Sequence, residues 1–176
     1  MDYAKALEYA TKMHETTPPR KGTGLPYITH PIEVAKILRD KGFGIDVQIM
    51  GLFHDLLEDT EATREKIIEY GNLEIYEAVV LMTKTDNDTA AYIDEISKNM
   101  KASAVKIADR IHNLRDSIHH PDLEWEKEYY IESDLYHRKL AEINYNIGAV
   151  KGKVFSVDFN DALNDLGKHL GSEYIF

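Results

Sequence analysis

The chain has 176 residues, a length that predicts a single domain over residues 1–176. Apolar residues make up 43% of it and charged residues 30%, which is typical of a folded globular protein and excludes the composition of intrinsic disorder. There is no cysteine, so disulfides and zinc–thiolate sites are excluded, and any metal must be held by His, Asp or Glu.

The net charge of −10 disfavours nucleic acid as a partner, because the whole surface would repel a polyanion. Basic residues gathered at 20–21 and 106–110 still allow a small phosphorylated substrate. The N-terminal stretch mixes charges into a helical pattern, and no run of about 18 apolar residues occurs anywhere. We therefore expect a cytoplasmic protein without a membrane partner.

Apolar residues recur at helical spacing nearly throughout the chain, and strand-type alternation is sparse, so the predicted fold class is all-α. Pro31 suits the first turn of a helix, Gly42 and Gly44 end that helix, and Gly71 ends a later one. The predicted helices cover residues 6–13, 31–41, 49–57, 64–70, 73–82, 89–98, 102–119, 126–147 and 160–170. Residues 16–31 form a long irregular loop rich in Pro and Gly, of a kind that often carries function.

Residues 54–59 read HDLLED and follow an apolar stretch. In a continuous helix, His54 and Glu58 stack one turn apart, as do Asp55 and Asp59, so four ionisable groups share one side. Burying that many groups costs several kcal/mol unless a cation or partner compensates them. For this motif alone, a solvated helix face ending in an acidic loop remains the alternative.

Two further segments favour a metal site over a solvated helix face. PYITHP supplies His30, and VKIADRIHNL places Lys106, Asp109 and Asn113 on one helical stripe. The inward-facing groups can then supply two imidazole nitrogens and two carboxylate oxygens to one divalent ion. These groups are His30, His54, Asp55 and Asp109. This ligand set suits manganese, iron, cobalt or zinc and leaves positions open for water and substrate.

The segments RKGTGLPYITHP, GLFHDLLEDT and VKIADRIHNL resemble, in order and spacing, the hydrolase domain of RelA/SpoT-type alarmone enzymes. The likeness is strongest to the small stand-alone members of that family and extends over about residues 1–120. It implies an HD-type helical bundle with a metal site between helices, usually occupied by manganese. It also implies removal of pyrophosphate from the 3′ position of guanosine tetra- or pentaphosphate.

The same resemblance implies roles for nine residues. As metal ligands it implies His30, His54, Asp55 and Asp109. As the acidic pair that acts on water it implies Glu58 and Asp59. As contacts to a guanine nucleotide substrate it implies Arg20, Lys21 and Asn113.

Several neighbouring residues receive other interpretations. His112 is interpreted as a structural or surface histidine, and Tyr27 as a packing residue. Arg110 is expected to pair with an acidic neighbour such as Glu58, while Lys106 suits either packing or a phosphate. A base-stacking aromatic is sought among Tyr129, Tyr130 and Tyr136 without a choice between them. No role is assigned to His14, His119, His120, His137 or His169.

Three alternatives to alarmone hydrolysis stay open. The same site could act on another nucleotide, such as a nucleoside monophosphate or NADPH. The fold could also bind nucleotides without turnover, as a sensor, or be purely structural. Exposed apolar positions expected on the last helices are compatible with a homo-oligomer.

Overall fold

The computed structural model describes residues 1–84, 88–143 and 155–171, and within these ranges all regular structure is helical. The α-helices are α1 (Tyr3–Met13), α2 (Thr29–Asp40), α3 (Ile45–Phe53), α4 (Leu56–Asp59), α5 (Arg64–Tyr70), α6 (Leu73–Met82), α7 (Thr89–Ser97), α8 (Met100–Ser117), α9 (Leu123–Glu132), α10 (Arg138–Glu142) and α11 (Phe155–Leu170). A 3₁₀ turn (His14–Thr16) follows α1, and a π-helical segment (Ser133–His137) joins α9 to α10. The predicted all-α class is confirmed.

Local sequence explains where these helices begin and end. N-cap side chains accept hydrogen bonds from backbone N–H groups in the first turns of six helices. These N-cap residues are Asp2, Thr63, Asn72, Asp88, Asn99 and Asp122. Pro31 lies in the first turn of α2, as predicted. Gly42 follows α2 with φ +82°, a conformation that only glycine adopts without strain, while Gly44 is the N-cap of α3.

The prediction of one helix over residues 49–57 is wrong. α3 ends at Phe53, His54 and Asp55 form a turn, and α4 begins at Leu56. The His54 ring accounts for the break, because its Nδ1 lies 2.8 Å from the Gly51 carbonyl oxygen and satisfies a group that the last turn of α3 leaves unpaired. Glu58 and Asp59 then donate their backbone N–H groups to the Asp55 carbonyl in a new turn.

The long helix predicted over 126–147 is divided in the structure. It comprises the end of α9, the π-helical segment and α10, and the part from residue 144 lies outside the described residues. A π-helical turn widens the helix by one residue and commonly marks a functional site. Here it buries Ser133 and His137 on the side that faces α8.

α8 lies at the centre of the bundle and packs against α2, α3, α6, α7 and α11. α2 and α3 form the most extensive helix pair, and Gly51 of α3 lies so close to α2 that an added Cβ would stand 2.8 Å from Leu38 Cδ1 and 3.3 Å from the Ala35 backbone. This packing fixes the ends of α2, α3 and α8 relative to one another. Among the described helices, none is long and apolar enough to cross a membrane.

We predict that Leu38→Ala lowers the free energy of unfolding by about 2–5 kcal/mol, because Leu38 is fully buried between α2 and α3 and its loss leaves a cavity. Urea unfolding followed by circular dichroism measures this change. Leu135→Ala is the matched control, since that leucine is 65% exposed and its loss should change stability by less than about 0.5 kcal/mol. Equal effects of the two substitutions would contradict the packing described.

Candidate metal centre and adjoining cavity

Three buried side chains from three helices meet at one point. His30 comes from the first turn of α2, His54 from the end of α3 and Asp109 from the middle of α8. His30 Nε2 lies 3.2 Å from His54 Nε2 and 3.2 Å from Asp109 Oδ1, and His54 Nε2 lies 3.7 Å from that same oxygen. No apolar group separates these donors, so they share one small polar space.

Asp55 adds a fourth donor to this cluster. Its Oδ2 lies 3.1 Å from His54 Nε2 and 3.6 Å from His30 Nε2. Neighbouring donors around an octahedral ion with bonds of about 2.1 Å stand about 3.0 Å apart, so these separations suit a divalent metal after small adjustments. The four predicted ligands are therefore brought together. The break between α3 and α4 makes this possible, because successive residues of a continuous helix diverge by about 100°.

Hydrogen bonds at the far side of each imidazole orient the ring. The Nδ1 of His54 donates to the Gly51 carbonyl, which leaves Nε2 unprotonated and aimed at the cluster when the ring is neutral. The Nδ1 of His30 lies 2.8 Å from the Nδ1 of His112. Burial, with His30 and Arg20 nearby, lowers the pKa of His112 to about 4, so this ring is neutral and can accept the His30 proton.

The two carboxylates are held by donors from neighbouring elements. Asp109 Oδ2 accepts from Lys106 Nζ at 2.9 Å, and its Oδ1 accepts from Asn113 Nδ2 at 2.6 Å. Asp55 Oδ2 accepts from the hydroxyl of Tyr27 at 2.8 Å. Charged groups removed from water need such partners, and here Asp109 has two and Asp55 has one besides the imidazoles.

The electrostatics of the metal-free site favour a cation. Although burial acts to raise it, Lys106 and the imidazoles hold the pKa of Asp109 well below its usual range. Although burial acts to lower it, the Asp55 and Asp109 carboxylates raise the pKa of His54 to about 10. Two carboxylates against one lysine leave a unit of negative charge that a proton on His54 offsets. A divalent ion would take the place of that proton.

A cavity of about 420 Å³ opens beside the cluster. Arg20, Lys21 and Gly22 of the loop before α2 line one side, and Trp125 and Tyr129 of α9 line the other. Between them the wall includes three polar side chains: Tyr27, Asp59 and Asn113. Because Tyr27 bonds to Asp55 and Asn113 to Asp109, the cavity and the metal cluster share a wall.

The aromatic side of the cavity is a column of stacked groups. His120 stacks on Trp125 with ring centroids 4.1 Å apart, and Trp125 stacks on Tyr129 at 4.7 Å. The guanidinium of Arg110 lies over the other face of Tyr129 at 4.2 Å. This stack holds an exposed edge of Trp125 at the cavity in a fixed orientation.

Glu58 and Asp59, the predicted acidic pair, are both exposed, and of the two Asp59 lines the cavity. Glu58 Oε1 accepts from the backbone N–H of Lys84 at the end of α6. Partial burial of its carboxyl, with Asp55 and Asp59 nearby, raises the pKa of Glu58 against the effect of that hydrogen bond. A carboxyl with a raised pKa is a stronger base when ionised.

The predicted pairing of Arg110 with Glu58 is wrong. Arg110 pairs with Glu132 of α9 at 2.7 Å and donates to the Ser133 hydroxyl at 3.1 Å. Arg110 points from α8 away from Asp109 and toward the segment that follows α9, so its partner is distant in sequence. The structural interpretation of Arg110 holds, with a different partner.

Sequence reasoning missed four contributors to the site. Tyr27 and His112 each contact a predicted metal ligand, although both were interpreted as structural residues. Trp125 and Asp116 line the cavity and received no interpretation. Asp116 follows Asn113 by three residues on the helical stripe already noted, so that spacing could have indicated it. Nothing local marks Trp125, which reaches the site through the packing of α9.

The helical fold, with two histidines and an aspartate from separate elements clustered where they could hold a metal ion, is that of an HD domain. The family model of the HD domain matches residues 6–133, which is more than half of the chain, and the chain therefore belongs to the HD domain family. This membership confirms the HD-type bundle that the resemblance of the three motifs implied.

Curated relatives match a little under two thirds of the chain. The chain is 37% identical over 121 residues to a probable GTP pyrophosphokinase of Mycobacterium leprae, covering 63% of this chain and 15% of that protein. It is 36% identical over 123 residues to a guanosine-3′,5′-bis(diphosphate) 3′-pyrophosphohydrolase of Spiroplasma citri, covering 63% of this chain and 16% of that protein. The chain thus spans about one sixth of the length of these relatives.

Solved structures share the fold. A metazoan ortholog of SpoT that hydrolyzes ppGpp matches with a TM-score of 0.77 at 21% identity, over 93% of this chain and 94% of the other. A protein of Listeria monocytogenes EGD-e matches with a TM-score of 0.57 at 26% identity, over 79% of this chain and 99% of the other. At 21% identity, the match to the SpoT ortholog establishes a common fold and nothing more.

We predict that a divalent ion stabilises the protein and that Asp109→Asn removes this effect, because the substitution takes one charged donor from the cluster. With the ion at about 100 times its dissociation constant, the parent should gain about 2.7 kcal/mol. Thermal unfolding with chelator or with added manganese measures the gain. Asp40→Asn, at the exposed end of α2, is the control and should retain it. An undiminished gain in Asp109→Asn would exclude this cluster as the metal site.

Proposed function

We propose that this protein is a manganese-dependent guanosine-3′,5′-bis(diphosphate) 3′-pyrophosphohydrolase, which releases pyrophosphate from guanosine tetra- or pentaphosphate and leaves GDP or GTP. The observation that carries the proposal is the shared wall between the metal cluster and a cavity with a basic side and an aromatic side. The activities of the Spiroplasma relative and of the metazoan ortholog support the choice of substrate.

His30, His54, Asp55 and Asp109 are the proposed metal ligands, and the bound ion would supply Lewis-acid activation of water and of the phosphoryl group. Manganese is proposed because two imidazole nitrogens and two carboxylate oxygens, without sulfur, form a borderline to hard donor set. The rest of the chemistry falls to side chains of this chain. Lys106 keeps Asp109 ionised, and Tyr27 and His112 orient Asp55 and His30.

Glu58 and Asp59 are the proposed acidic pair for proton transfer. Water attacks the phosphorus bonded to the 3′ oxygen, the bond from that phosphorus to the 3′ oxygen breaks, and pyrophosphate leaves. Glu58 accepts the proton of the attacking water, while Asp59 at the cavity wall delivers the proton that the 3′ oxygen must gain. The raised pKa of Glu58, caused first by partial burial, supports its role as the base.

Arg20 and Lys21 are the proposed contacts to the substrate phosphates. Both line the cavity, and cationic groups placed there offset the negative charge of a nucleotide with two diphosphates. Arg20 offers a planar fork for paired phosphate oxygens, whereas Lys21 offers a mobile point charge. Asn113 stands between Arg20 and Asp109 at the same wall, and we propose that it contacts the substrate from there.

The exposed edge of Trp125 is the proposed platform for the guanine base, because His120 and Tyr129 already stack on the indole ring. An aromatic base can pack edge-to-face against this ring, and aromatic pairs of that kind contribute about 0.5–1.5 kcal/mol beyond the area that they bury. The stacked column of His120, Trp125 and Tyr129 keeps this platform in place before substrate arrives. Of the tyrosines considered from the sequence, Tyr129 is the one that lines the cavity.

The decisive experiment is incubation of metal-stripped protein with guanosine tetraphosphate, with and without added manganese, followed by identification of products. We expect GDP and pyrophosphate only with metal. Glu58→Gln should lower kcat by about 10²–10⁴, because it removes the base but keeps the shape of the side chain. Glu61→Gln, in the exposed loop after α4, is the control and should leave kcat unchanged.

The products distinguish the alternatives. Release of orthophosphate from a nucleoside monophosphate or from NADPH, without pyrophosphate from guanosine tetraphosphate, would replace the proposed substrate. Metal-dependent binding of guanosine tetraphosphate without any product would indicate a sensor. Metal binding with neither result would leave the HD site and remove the alarmone assignment.

We predict that Trp125→Ala raises KM for guanosine tetraphosphate about tenfold with little change in kcat, since the lost contact with the base lies far from the reacting phosphorus. Trp125→Phe should restore much of the affinity. Affinity for inorganic pyrophosphate, which has no base, should be the same in all three proteins. A fall in pyrophosphate affinity in Trp125→Ala would show that the substitution disturbs the whole cavity and would remove the platform role.

A further inference from the structure

Arg20 is held by two side chains of α8. Its Nε donates to Asp116 Oδ2 at 2.8 Å, and its Nη2 lies 2.7 Å from the same oxygen as an ion pair. Its Nη2 also donates to Asn113 Oδ1 at 2.6 Å. Both charged partners are largely withdrawn from solvent, with 16% of the Arg20 side chain and 13% of the Asp116 side chain exposed. The guanidinium therefore has a defined position in the metal-free protein.

The backbone of the same loop is also fixed against α8. A Cβ added to Gly22 would lie 3.0 Å from the Asp116 carbonyl oxygen and 3.3 Å from His119, so this glycine seats the loop on the end of the helix. Arg20 donates its backbone N–H to the Leu25 carbonyl and accepts from the Gly24 N–H, which closes a turn. Contacts of both the backbone and the side chains therefore hold the loop against α8 near Arg20.

Asp116 is unexpected in a cavity meant for a polyanion. Its charge offsets that of Arg20 and lowers the attraction of this wall for phosphate. A second carboxylate, Asp59, already lines the cavity. A carboxylate at this position favours phosphate binding only if it orders the long, flexible Arg20 side chain. The entropy cost that this order removes must then exceed the electrostatic attraction that the carboxylate cancels.

We propose that Asp116 is a positioning residue that holds the Arg20 fork toward the cavity so that it receives substrate phosphate without reorganisation. Asp116 acts through Arg20 and need not touch the substrate. Asn113 also binds the guanidinium of Arg20. Because Asn113 Nδ2 donates to Asp109, the position of Arg20 is fixed relative to a proposed metal ligand. The inference rests on the proposed role of Arg20 as a phosphate contact.

Two views of Asp116 predict changes of opposite sign. If Asp116 is only a neighbouring negative charge, its removal strengthens the attraction of the cavity for an anion. If Asp116 positions Arg20, its removal weakens anion binding although a negative charge has been lost. The sign of the change in anion affinity therefore separates the two views.

The test is titration of inorganic pyrophosphate into the manganese-loaded full chain by calorimetry. We expect Asp116→Ala to weaken pyrophosphate binding about tenfold, with Asp116→Asn between it and the parent, since asparagine keeps an acceptor for the guanidinium. Arg20→Ala should weaken binding at least as much, and Arg20→Ala combined with Asp116→Ala should be no weaker than Arg20→Ala alone. Thermal unfolding of each variant checks that it is folded.

Asp158→Ala is the matched control, because Asp158 pairs with Arg115, the neighbour of Asp116 on α8, away from the cavity. It should bind pyrophosphate as the parent does. Unchanged or tighter binding by folded Asp116→Ala would overturn the proposal, as would absence of pyrophosphate binding by the parent. Because the readout is binding, the outcome is independent of turnover: a parent that binds in an Asp116-dependent way but does not hydrolyse guanosine tetraphosphate would keep this proposal and remove the proposed function.

Discussion

Two carboxylates and two imidazoles share one small, largely buried space between α2, α3 and α8, and the cost of removing these groups from water constrains everything around them. Each carboxylate keeps a protein donor, Lys106 for Asp109 and Tyr27 for Asp55. The remaining negative charge requires a proton or a metal ion. The three helices must consequently hold these side chains within about 4 Å of one another, and the close packing of α2 on α3 at Gly51 secures part of this arrangement.

α8 connects that metal cluster to the cavity. One face of this helix is buried in the core, and its other stripe carries Lys106, Asp109, Asn113 and Asp116. Hydrogen bonds run along the stripe from Lys106 to Asp109, to Asn113 and then to Arg20 of the loop before α2. A rigid helix is a suitable support for such a site, because side chains on it keep their spacing whether or not a ligand is bound.

α9 supplies what the metal cluster lacks, an apolar surface beside the basic loop. The π-helical segment after α9 places Ser133 against Arg110, and Arg110 lies in turn over Tyr129 of the aromatic column. The column is therefore anchored to α8 through Arg110. The candidate metal site and a cavity with one basic and one aromatic side together support the proposed phosphorylated nucleoside substrate better than either part alone.

The sequence by itself determined the all-α class, most helices and the identity of the four clustered residues that we propose as metal ligands. Helical periodicity and capping are local, and the three motifs carry His30, His54, Asp55 and Asp109 at recognisable spacing. The tertiary structure alone decided the break at His54, which aims two adjacent residues at one point through the bond to Gly51. It also decided the Glu132 partner of Arg110, the Tyr27 and His112 contacts, and the place of Trp125. These depend on pairs of residues that are distant in sequence or on the packing of α9, and such contacts leave no local period to read.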